Sequence, residues 1–97
     1  MYAVFEVKPL NVPKVDEVLK DDLVSRQSIA SRDGSALGFP SLARLVLIEG
    51  TDAAIARAAE LFKDVGAKLE GAQAEAVHRA FRAQDEDAAS GIGLIFG

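Results

Sequence analysis

The chain has 97 residues, 49% hydrophobic and 27% charged, a balance that suits one globular domain with a single core and excludes a disordered chain. Eleven basic side chains against fifteen acidic ones give a net charge of −4, which repels a phosphate backbone and argues against nucleic acid as a partner. With no cysteine and one histidine, the chain lacks thiolate nucleophiles, disulfides and Cys-ligated metal, and it cannot build a histidine cluster, so no cofactor or metal is expected.

The opening residues, Tyr2 to Lys8, are β-branched and aromatic and run into Pro9, the pattern of a strand and its exit. They carry no basic leader and meet a carboxylate at Glu6, so neither a signal peptide nor a membrane span is expected, and the chain reads as cytoplasmic. From Pro13, the residues Val15, Val18 and Leu19 fall on one helical face, and this short helix should end near Asp21 or Asp22. Residues 23–32 read as a second strand that closes on the turn signal Asp33-Gly34, and Ser35 to Ala43, with Gly38 and Pro40, as an irregular connection. Leu45-Val-Leu-Ile48 is a continuous apolar run, which implies a central strand buried on both faces.

Thr51 is a good N-cap for a second helix whose stripe is Ile55, Ala58, Ala59, Phe62 and Val65, ended by Gly66. Ala67 to Glu70 reads as a short edge strand. A third helix is expected over 71–89, with Ala76, Val77, Ala80 and Phe81 on its apolar face and the acidic Asp85, Glu86 and Asp87 weakening its end. Residues 90–97, rich in glycine but strongly apolar, read as a tail whose Ile92, Leu94 and Phe96 need a surface to dock on.

At an offset of 43 residues the first strand and helix fall on the third strand and second helix without a gap, with Glu6, Glu17, Lys20 and Asp21 repeated as Glu49, Glu60, Lys63 and Asp64. Duplication is one explanation, and the general likeness of strand–helix units is another. Either way the order over residues 1–70 is βαββαβ. This order resembles that of ferredoxin-like domains, and the resemblance implies an α+β fold with a four-stranded antiparallel sheet in the order 4-1-3-2 and two helices on one face. Side-chain alternation then places Ala3, Phe5, Val46 and Ile48 under those helices and leaves Tyr2, Val4, Leu45 and Leu47 on the other face. That second face is too apolar for water, so it should be covered by the third helix, the tail or a second subunit; Tyr2, Val4, Leu45, Leu47, Ile92, Leu94 and Phe96 are the candidate interface residues.

Chemistry-bearing residues are few. Glu6 and Glu49 end antiparallel neighbours and therefore should not share an acid–base site. His78 falls on the polar side of its helix with Glu75 and Arg82 and should be solvated. Arg32, Asp33, Gly34 and Ser35, preceded by Ser31, gather a guanidinium, a carboxylate, hydroxyls and a permissive backbone position; they make either a polar β-turn or a site for a small anion or amino acid. Gly91, Gly93 and Gly97 lack the spacing of a phosphate loop.

Among families with this element order, the heavy-metal-binding members use a Cys-x-x-Cys that is absent here. The RNA-recognition members carry aromatic residues where this chain has Leu45 to Ile48, and an acylphosphatase-like loop is likewise missing. The chain remains similar to ACT-like and other small regulatory domains, which implies a non-catalytic, homo-oligomeric domain that binds a small metabolite near residues 31–38 or between subunits. Two other functions fit the sequence: an assembly subunit docking through its apolar tail, and a small enzyme using Glu, Asp or Lys for acid–base chemistry.

Overall fold

A computed structural model describes residues 1–96, with side chains described for residues 1–84. The sheet is built from β1 (Tyr2–Val7), β2 (Ser28–Asp33), β3 (Arg44–Glu49) and β4 (Ala67–Lys68), and the helices are α1 (Val12–Leu19), α2 (Asp52–Leu61) and α3 (Gly71–Phe96). All neighbouring strands are antiparallel and the order across the sheet is β2-β3-β1-β4. The apolar run of β3 is therefore central, between β1 and β2, as its composition requires.

Registers of Ala3↔Ile48 and Phe5↔Val46 place those four side chains on one face, where they form a core with Val15 and Val18 of α1 and Ile55 and Ala58 of α2. Phe5 stacks on Phe62 with ring centroids 4.3 Å apart. On the other face Val4, Leu45 and Leu47 pack with Ala74, Val77 and Phe81 of α3 and with Leu37 and Leu69. The molecule is thus three layers deep, a pair of helices, a sheet and a third helix, because a sheet apolar on both faces must be covered on both.

Several expectations are corrected. Of the three covers expected for the second sheet face, α3 is the one seen: Val4, Leu45 and Leu47 are 0–4% exposed within one chain and belong to its core, with Tyr2 half-buried beside them. Residues 24–26 form a 3₁₀ turn before β2 begins at Ser28, and α2 stops at Leu61, passing into a 3₁₀ turn at Phe62–Asp64. Backbone helix continues to Phe96, within the stretch expected to be a tail, since no proline interrupts it and an internal glycine costs a helix only about 1 kcal/mol. The expected docking of Ile92, Leu94 and Phe96 lies outside the described side chains. No described helix is long and apolar enough to cross a membrane.

Candidate functional site

The Asp33-Gly34 motif sits where β2 leaves the sheet, but it does not form a tight reversal. Gly34–Leu37 is a 3₁₀ turn capped by Gly38 in the left-handed region (φ +90°), and the chain returns to β3 through Pro40 and Ala43. The loop is closed by its own backbone: Gly34 N–H donates to Ala43 O at 2.8 Å, and Gly34 O accepts from Phe39 N–H at 2.8 Å. Gly34 is buried there, and a Cβ at this position would meet the carbonyl oxygens of Leu42 and Phe39. Glycine is needed for close approach of three backbone segments. Glu6 adds a clip from β1, its Oε2 accepting Ala43 N–H at 2.9 Å.

The loop ends at Arg44, which the β2–β3 register sets directly opposite Asp33. Arg44 Nε–H donates to Ser31 Oγ at 2.9 Å, and Nη1–H donates to Asp33 Oδ1 at 3.1 Å. Two bonds in different directions hold the guanidinium, which lines two cavities. One, of about 280 Å³, is walled by Pro9, Val12, Pro40 and Leu42 and carries Asp33, Gly34 and Ser35; the other, of about 150 Å³, lies against α1 at Val15, Asp16 and Leu19. Apolar walls with a few convergent polar groups are what a small-molecule site requires.

Three of the four loop residues singled out from the sequence, Asp33, Gly34 and Ser35, therefore line one cavity, and Arg32 does not. Strand alternation turns Arg32 to the α3 face of the sheet, where its Nη1–H donates to Ser31 O at 2.7 Å. The cation of the site is Arg44, and the signal for it was its place at the start of the apolar run, eleven residues from Asp33 along the chain and across from it in a hairpin.

Elsewhere the charged groups do structural work. Glu6 and Glu49 lie toward opposite ends of the β1–β3 pair, opposite Leu45 and Tyr2 respectively, and so do not meet. Glu49 Oε2 accepts from Arg82 at 2.6 Å and lies 3.4 Å from His78 Nε2. His78 is not the solvated side chain expected: its ring stacks on Tyr2 at 3.8 Å and its side chain is 21% exposed, because α3 lies flat on the sheet end. Among the described residues there is no group of three His, Cys, Asp or Glu placed to hold a metal ion. A further cavity, of about 520 Å³, lies between β1, residues 68–71 and the first turns of α3, with Tyr2, Lys68, Glu70 and Glu75 on its walls. No family model, no curated protein and no solved structure matches this chain.

Proposed function

We propose that this chain is a non-catalytic, regulatory-type domain of ferredoxin-like architecture that binds a small polar metabolite in the cavity between β2, the 34–43 loop and the start of α1. The observation that carries this reading is the Arg44 guanidinium, fixed by Ser31 and Asp33 and exposed to a cavity with apolar walls. A guanidinium already held in place loses little freedom when a ligand engages its remaining N–H groups. The likeness to ACT-like domains adds only a fold-level analogy. This binding reading needs no second subunit, since α3 covers the sheet face that called for one.

The test is a backbone amide NMR titration of the full chain with amino acids, nucleotides and organic acids. Saturable shifts confined to residues 31–44 and the first turn of α1 are expected for at least one of them. No saturable shift in this region at millimolar ligand would overturn the proposal.

A further inference from the structure

Arg32 lines neither of the cavities at Arg44, and its place in the sheet gives it another part. β2 is the outer strand of the sheet and pairs on one side only, with β3. Gly34 N–H donates to Ala43 O and Gly50 N–H donates to Met1 O, which fixes the phase of both ladders: along β3 the even residues address β1 and the odd residues address β2. The N–H and C=O groups of Ser28, Ala30 and Arg32 therefore turn toward β3, and those of Ile29, Ser31 and Asp33 turn away from the sheet. β2 follows β3 residue for residue and lacks the proline, lysine or bulge that commonly keeps an edge strand from accepting another. Arg32 takes their place. Its Nη1–H donates to Ser31 O at 2.7 Å, and Ser31 is the middle one of the three residues that face outward. The guanidinium thus occupies the acceptor that an incoming strand needs at the centre of the edge.

The partner that fits this edge is a second copy of the chain. Two β2 strands related by a two-fold axis at Ser31 set Ser31 opposite itself, Ile29 opposite Asp33 and Ala30 opposite Arg32. Every outward-facing residue then meets an outward-facing residue, so each of these pairs can exchange both backbone bonds, and no like charges lie directly opposite. The two Arg32 side chains become diagonal neighbours on the α3 face, roughly 7–8 Å apart, where their charges repel. Arg32 therefore opposes this pairing twice, by covering the Ser31 carbonyl in each copy and by like charge between the copies.

We infer that the β2 edge is a strand-pairing surface for a second copy of this chain and that Arg32 is the latch that holds it closed. Sedimentation equilibrium of the full chain over a range of concentrations is the test. Arg32→Ala should lower the dimer dissociation constant at least tenfold relative to the parent, because both latches of the two-fold pair are lost. Arg32 is exposed, so the variant keeps its fold, which far-UV circular dichroism checks. In the associated Arg32→Ala chain, amide exchange should slow at Ile29, Ser31 and Asp33, whose N–H groups face outward in the single chain. Adding Asp33→Pro to Arg32→Ala removes one of those N–H groups at a residue whose φ of −70° suits proline, and it should return association to the parent's level. An Arg32→Ala chain that associates no more tightly than the parent, association that leaves exchange at Ile29, Ser31 and Asp33 unchanged, or a dimer that survives Asp33→Pro overturns the inference.

Discussion

Phe81→Ala is the sharpest test of the three-layer arrangement. Phe81 is 3% exposed and belongs to the core that joins α3 to Val4, Leu45 and Leu47. Removing a buried phenyl ring forfeits its transfer free energy and leaves a cavity between rigid strands and a helix, a loss of about 3–5 kcal/mol. Against the roughly 5–15 kcal/mol that holds an ordinary domain together, this is a large fraction. In a chain of this size each kcal/mol moves Tm by about 4–8 °C, so a fall of roughly 20 °C is expected. Urea and thermal melts followed by far-UV circular dichroism measure both quantities. Leu10→Ala serves as control, since Leu10 is 88% exposed and its truncation should stay within about 0.5 kcal/mol. If the two variants lose similar stability, α3 does not pack on this face and the second core is wrong. A faster amide exchange at Val4 and Leu45 in Phe81→Ala than in the parent would localise the damage to the face that α3 covers.

Gly34→Ala forces a methyl group into the carbonyl oxygens of Leu42 and Phe39, so it should destabilise by roughly 2–4 kcal/mol in urea melts and disperse the amide shifts of residues 34–43. A variant as stable as the parent would show that the loop closes differently. Thr51→Ala removes the hydroxyl that accepts Ala54 N–H at 3.2 Å and should cost about 1 kcal/mol, read from the urea midpoint. Glu49→Gln weakens the tie to Arg82, whose side chain is 59% exposed, so a loss under about 1 kcal/mol is expected by the same melt; a larger loss would mean the Tyr2–His78 stack depends on that carboxylate. Desolvation pushes the Asp21 carboxyl up, but hydrogen bonds from Val24 N–H, Arg57 and Leu23 N–H, with the Arg57 charge, outweigh it and hold the pKa below the ordinary value. A folded pKa lower than the unfolded one gives stability that is complete above the unfolded pKa and is lost as pH falls through the folded one. Urea midpoints of the parent and Asp21→Asn should therefore differ most at neutral pH and converge in acid, and a gap that stays constant down to about pH 2 would refute the assignment.

What the sequence made legible, and what it did not, divides along the range of the interactions. The period-2 alternation of β1 and the unbroken apolar run of β3 depend on each strand alone, and they correctly sorted Ala3, Phe5, Val46 and Ile48 from Val4, Leu45 and Leu47. Thr51 was legible as a cap for the same reason, since its bond reaches three residues along the chain. His78 was not, because its environment is made by Tyr2 and Glu49, which only the docking of α3 brings to it. Arg44 was missed in the same way. In a linear chain Arg32 is the nearest cation to Asp33, and a loop site built from neighbours selects it. In a strand, neighbours point to opposite faces, so the nearest cation in sequence is the one that cannot share the site. Pairing with β3 supplies the correct partner from eleven residues away, and with it the second bond to Ser31 that fixes the guanidinium. The loop between them is then a spacer, whose length and whose glycine at position 34 let β3 return in the one register that sets Arg44 across from Asp33. A change to that loop should therefore act on the site through register, even where it removes none of the groups that a ligand would touch.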